Sequence, residues 1–162
     1  MCGIAAILRL GDRPVDDARA RLVRMLRAIA HRGPDDAGVF VDDHCALGAV
    51  RLAVVDPAHG RQPARGCADS GVVCVYNGEL YAFDDVRRAL VDDGHAIAGS
   101  CDTDVVAHLY EKHGDAMVDK MRGMFAFIVW DAKARSLVVG RDRYGMKPLF
   151  YAVGKDALVI AS

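Results

Sequence analysis

The chain opens Met1-Cys2-Gly3-Ile4, which places a thiol at the second position, followed by a residue with no side chain. Methionine ahead of a side chain as small as cysteine is normally trimmed, and trimming would leave a thiol and a free α-amine on one residue. A free thiol titrates near ~8.5 and an α-amine near ~7.7–8, so close to neutrality part of the amine is unprotonated and can take the thiol proton. Nucleophile and base then reside in Cys2 itself, and no catalytic histidine is needed. Gly3 has no side chain to block a substrate, and the apolar run 4–8 reads as a strand that anchors the terminus. The residues alone leave open the alternative that Cys2 sits idle at a frayed end.

Three further positions could act on a substrate. Arg51 lies between Val50 and the apolar stretch Leu52-Ala53-Val54-Val55, where a guanidinium has to be paired or face a cavity, and the partner that best suits its planar fork is a carboxylate. A structural salt bridge is the competing reading. Asn77-Gly78 follows the strand-like run 72–76 and offers two N–H donors that together could hold an oxyanion, with Glu79 next to them. The same dipeptide is a strong hairpin-turn signal, because both residues tolerate positive φ. Cys101-Asp102-Thr103-Asp104 opens a helix, where such residues are ordinary caps. If Thr103 or Asp104 caps, Asp102 is free to bind a substrate ammonium.

Other chemistries lack their residues. The six histidines never fall at i, i+4 on a helix, so no metal is expected, and neither a phosphate-cradling glycine loop nor a GxSxG elbow occurs. Five cysteines, Cys2, Cys45, Cys67, Cys74 and Cys101, are an odd number without CxxC, which argues against a disulfide framework and for a reducing cytoplasm. With 21 basic and 22 acidic residues the net charge is −1 without blocks of one sign, which points away from nucleic acid and anionic membranes. The longest apolar run, 124–130, is far short of a membrane span, and the N-terminus lacks an export signal, so the chain is expected to be soluble and unexported.

The elements that position these residues follow from periodicity. Gly11-Asp12-Arg13-Pro14 is a turn; Val15, Ala18, Leu22, Met25, Leu26 and Ile29 recur at helical spacing; and Gly33-Pro34 ends that helix. Strands are predicted at 39–41, 45–52, 72–76, 124–130, 136–140, 149–153 and 157–161, and helices at 85–91, 104–112 and, shorter, 115–121. A long loop covers 56–70. Strands apolar at successive positions, such as 125–130, must be covered on both faces. One α+β domain over 1–162 is therefore expected, a four-layer α-β-β-α sandwich of two mainly antiparallel sheets.

Taken in order, Cys2-Gly3-Ile4, His31-Arg32-Gly33-Pro34-Asp35, Arg51-Leu52, Asn77-Gly78-Glu79, Asp102, the run Arg122-Gly123-Met124-Phe125-Ala126-Phe127 and the segment from Gly140 to Leu149 carry a resemblance that covers essentially the whole chain. They resemble the glutaminase domain of glutamine-hydrolysing asparagine synthetases, a class II glutamine amidotransferase of the N-terminal nucleophile hydrolase fold. The resemblance implies that Cys2 attacks the side-chain amide of glutamine through a thioester, with its α-amine as base and then acid. It implies that Arg51 holds the α-carboxylate within a substrate-binding segment continued by Leu52, Ala53, Val54 and Val55, and that Asp102 holds the α-ammonium. Asn77 and Gly78 would form the oxyanion hole, and the Glu79 backbone would help position substrate. Residues 31–35 and 141–149 are family signatures to which packing roles are assigned. No cofactor is implied for this domain; ATP and Mg belong to a synthetase domain that receives the ammonia, in cis or in trans. A homodimer is left open.

The chain departs from the family in lacking the synthetase motif Ser-Gly-Gly-x-Asp-Ser, in having Ala82 where asparagine is common, and in placing Cys101 before Asp102 where serine or threonine is common. The expectation is therefore an excised domain, or a partner chain that carries the synthetase half. Competing readings are an amidotransferase domain of amino-sugar, purine or specialised amide synthesis, and a non-catalytic glutamine-binding or assembly domain.

Overall fold

A computed structural model of the chain describes residues 1–11, 15–54 and 59–162. Residues 12–14 of the first expected turn, Val55 and the start of the long loop lie outside the described residues. Strands β1 (Gly3–Arg9), β2 (Asp36–Val41), β3 (Cys45–Arg51), β8 (Phe150–Val153) and β9 (Ala157–Ala161) form one antiparallel sheet in the order β2-β3-β1-β9-β8. The second sheet runs β4 (Ala64–Arg65), β5 (Val72–Leu80), β6 (Gly123–Asp131) and β7 (Ser136–Arg141). Helix α1 (Ala18–Ala28) covers the first sheet, and α2 (Phe83–Asp92) and α3 (Asp102–His113) cover the second. The expected α-β-β-α sandwich is the observed fold.

The two-residue side-chain period of a strand explains the unbroken apolar runs. In β6, Phe125, Phe127 and Val129 pack under α2 and α3, while Ala126, Ile128 and Trp130 enter the layer between the sheets. In β1, Ile4 and Ala6 face the other sheet, and Ala5 and Ile7 face Leu22 and Leu26 of α1. Burying a leucine- or phenylalanine-sized side chain contributes about 1.5–3 kcal/mol, so these three apolar layers dominate the stability of the fold. Polar corners are closed by side chains. Asp42 Oδ1 accepts the N–H groups of His44 and Cys45 at 2.8 and 2.7 Å, and Asp42 Oδ2 accepts the Trp130 indole N–H at 2.6 Å, which fastens the β2–β3 corner to the other sheet.

Some boundaries differ from the sequence reading. The 56–70 loop contains β4, which pairs with β5, and 114–120 is a 3-10 segment. Asn77-Gly78 is not a turn: both residues lie inside β5, opposite Ala126 and Phe125 of β6. The local preference for a hairpin yields to nine consecutive cross-strand pairs with an apolar neighbour strand. Gly3 also has a different reason from the one expected, since a Cβ there would come within 2.9 Å of the Ile29 and Val50 side chains. Its missing side chain makes room for the α1 layer, not for a substrate.

Candidate active site

Strand alternation brings the candidate residues together. In β3, Cys45, Leu47 and Ala49 face the inter-sheet layer, and Arg51 has the same parity at the strand's end. Gly3 is opposite Val50, so Cys2 stands one step outward, beside Arg51 and in phase with Ile4 and Ala6. Asn77 continues the inter-sheet phase of Val73 and Val75 in β5. These three residues therefore meet where the inter-sheet layer opens into a cleft of about 700 Å³, whose wall also includes Leu52, Val54, Gly78, Glu79 and Asp102. Ala53, next to them, is held by its N–H to the Asp35 carboxylate at 2.8 Å and is not part of that wall.

The segment 31–35 orients this end of the sheet, which goes beyond the packing role expected of it. Arg32 donates from Nε and Nη2 to the Cys2 carbonyl, both at 3.3 Å. Gly33 lies so close to the backbone of Val50 and Arg51 that a Cβ would stand 2.5 Å from the Arg51 nitrogen. The Asp35 N–H donates to the Arg51 carbonyl at 3.0 Å. Arg51 itself is only 6% exposed. Gly60, at φ +68°, leaves space that a Cβ would fill at 3.1 Å from the Arg51 guanidinium and 2.6 Å from the Cys101 sulfur, so the guanidinium lies beside the start of α3.

Cys101, rather than Thr103 or Asp104, is the N-cap of α3, and its own N–H donates to the Asp104 carboxylate at 3.0 Å to close a capping box. Asp102 is thus not needed as cap. Its two oxygens accept N–H groups from Leu80 at 2.9 Å and Thr103 at 2.8 Å. Burial raises the Asp102 carboxyl above the usual carboxylate range, against these two donors and the Tyr76 hydroxyl, which lower it. The Tyr76 hydroxyl lies beside Asp102 without a hydrogen bond of normal geometry, and its own burial, then the Asp102 charge, push it well above the usual phenol range.

The Asn77 amide nitrogen is buried in the cleft wall without a hydrogen-bond partner. An unsatisfied buried donor costs about 1–3 kcal/mol, and this one is placed to donate to an acceptor that enters the cleft. Among the wall residues that the sequence does not single out are Tyr76, Lys147 and Gln62. Gln62 substitutes for a strand neighbour, donating to the Tyr76 carbonyl at 2.8 Å and accepting its N–H at 2.7 Å. Lys147 is only 6% exposed, and its ammonium meets the Met1 sulfur at 3.1 Å. The motif carrying Lys147 was recognised, but its geometry could not be read from the sequence. That motif is built on Asp142, whose carboxylate accepts N–H groups from Tyr144, Met146, Lys147 and Phe125 at 2.9–3.3 Å. Burial alone would raise Asp142, but the four donors outweigh it and hold the carboxyl below its usual value.

Away from the cleft, Cys67, His95, His108 and Glu111 converge, although the sequence pointed to no metal. Histidines one turn apart on a helix would mark such a site in the sequence, whereas these four residues come from three separate segments.

The two-sheet sandwich matches the fold of glutamine phosphoribosylpyrophosphate amidotransferase from B. subtilis, with a TM-score of 0.79 and 23% identity over 99% of this chain and 41% of that one. A glutamine amidotransferase domain model matches residues 1–162, and the chain belongs to that family. It is 41% identical to a glutamine-hydrolyzing asparagine synthetase of Asparagus officinalis, 40% to a nodule asparagine synthetase of Pisum sativum and 38% to one of Sandersonia aurantiaca, in each case over 98% of this chain. The chain spans 26 to 30% of the length of these relatives.

Proposed function

We propose that this domain hydrolyses glutamine to glutamate and ammonia through a thioester on Cys2. The observation that carries the reading is the convergence of Cys2, Arg51, Asn77 and Asp102 on one cleft. In this reading the Cys2 α-amine, freed by loss of Met1, takes the thiol proton, and the thiolate adds to the side-chain amide carbonyl. The oxyanion so formed accepts hydrogen bonds from the Asn77 amide and the Gly78 N–H. Collapse expels ammonia, protonated by the same amine, and water then releases glutamate. Arg51 holds the substrate α-carboxylate, with Leu52, Val54 and the Glu79 backbone along its path. Asp102 holds the ammonium, and that cation would relieve the disadvantage that burial imposes on the ionised carboxylate. No step draws on a cofactor in this domain.

The ammonia passes to a synthetase domain of the asparagine-synthetase type, in cis or in trans, as the names of the relatives suggest, and ATP and Mg are expected for that domain alone. Five free thiols suit the cytoplasm. Among the described residues no helix is long and apolar enough to cross a membrane.

Glutamine turnover with substituted clamp residues tests the reading. Removing one partner of a desolvated charge pair costs several kcal/mol, so Arg51→Ala and Asp102→Ala should each lower kcat/KM roughly 10²-fold or more. Arg51→Lys should also suffer, because it keeps the charge and loses the fork. A near-normal KM in either alanine variant removes that residue from the pocket.

A further inference from the structure

We propose that Cys67, His95, His108 and Glu111 form a four-coordinate divalent-metal site, suited to zinc, that fastens the β4–β5 loop and the α2–α3 connection to α3. One thiol, two imidazoles and a carboxylate present one donor atom each, all within 4.8 Å of one another. The Cys67 sulfur lies 3.6 Å from Nδ1 of both His95 and His108, and the two Nδ1 atoms are 3.3 Å apart. With Zn–S near ~2.3 Å and Zn–N near ~2.0–2.1 Å, a regular tetrahedron has S–N edges of about 3.5–3.6 Å and N–N edges of about 3.3–3.4 Å. The measured edges agree. Glu111 Oε2 closes the fourth corner at 3.1 Å from His95 and 2.8 Å from His108, somewhat inside the tetrahedral spacing, which a small shift of that carboxylate would correct.

Protons explain this cluster less well than a cation does. Each imidazole could donate its Nδ1 proton to Glu111, but the Cys67 thiol then competes for that same carboxylate, which already accepts from Ser70 and the Cys67 N–H. A metal takes a lone pair from all four atoms at once, and a mixed sulfur, nitrogen and oxygen set favours zinc over magnesium or calcium. The carboxylate is also held from behind: Glu111 Oε1 accepts the Cys67 N–H at 2.6 Å, and Gly66 has no Cβ to collide with it. The His108 and Glu111 side chains are 4% and 9% exposed, and that of His95 is 15%. Four protein ligands make a closed, structural site, and the depression beside it shares no lining residue with the Cys2 cleft.

The test uses the whole chain, purified without chelator or polyhistidine tag. Elemental analysis should find close to one zinc per chain. Metal-free protein titrated with Co²⁺ should develop the intense visible bands of four-coordinate cobalt and a thiolate charge-transfer band in the near ultraviolet. Both should persist in a Cys2→Ser background, which removes the thiol of the catalytic cleft, and Cys67→Ser should lose the charge-transfer band. Even loss of an outer-shell partner costs about 10–100-fold in metal affinity, so His108→Ala should weaken Co²⁺ binding at least tenfold. A six-coordinate cobalt spectrum without charge transfer at saturation, or an unchanged band in Cys67→Ser, overturns the proposal. If His108→Ala does not fold, the spectra of the parent and of Cys67→Ser decide between these outcomes.

Discussion

At the scale of single residues, the cleft is marked by groups held at an energetic disadvantage. Asn77 keeps a buried donor without a partner, and Asp102 keeps a carboxylate whose ionised form burial disfavours. Both conditions are relieved by a ligand with an oxyanion at one end and an ammonium at the other. If Asn77 serves the tetrahedral intermediate alone, Asn77→Ala should lower kcat by roughly 10²–10³ while KM moves far less. Because Asn77 lies inside β5 and not in a turn, melting behaviour should remain close to that of the parent. A variant that unfolds while its soluble remainder turns over glutamine normally would place the oxyanion donor elsewhere.

At the scale of elements, the segment after β7 is organised by one carboxylate. Asp142 accepts four backbone N–H groups and is 5% exposed, and its carboxyl is held below the ordinary value. A depressed carboxyl contributes stability that is present above its unfolded value of about 3.9 and is lost as pH falls through the folded value. Hydrogen bonds to a charged group are worth about 1.5–3 kcal/mol, so Asp142→Asn should cost about 2–3 kcal/mol at neutral pH, read from urea midpoints. The gap between parent and variant should narrow as pH drops through about 4 and below; a constant gap would mean that charge is not what holds the loop. Alternating burial in β1, β5 and β6 was legible as continuous apolar runs because every strand side faces a covered layer. The cap of α3 was not legible, since cysteine is an unusual N-cap and Asp104 supports it from three residues on. Ala82 before α2 adopts φ +54°, a conformation that asparagine tolerates better, which gives the family's preference there a backbone reason.

At the scale of the whole molecule, two sheets that pack face to face leave one end of their shared layer uncovered, and Cys2, Arg51 and Asn77 arrive there from three strands by parity alone. The candidate site was therefore legible as a set of motifs in order, whereas its supports were not. Arg32 on the Cys2 carbonyl and Lys147 in the cleft wall depend on segments 30 and 146 positions from the residues they touch. The metal cluster is of the same kind, since Cys67 and His95 meet 28 positions apart and only His108 and Glu111 share a helix. While Met1 is attached, the Cys2 nitrogen is a peptide nitrogen that cannot act as a base, and the Met1 side chain occupies the cleft wall beside Lys147. The most direct measurement is intact mass spectrometry of the same sample in which glutamine turnover is assayed, alongside a form that retains Met1. Active protein should have the mass of the chain beginning at Cys2, and the Met1-retaining form and Cys2→Ala should both be inactive. Full turnover by protein that still carries Met1 would contradict the account.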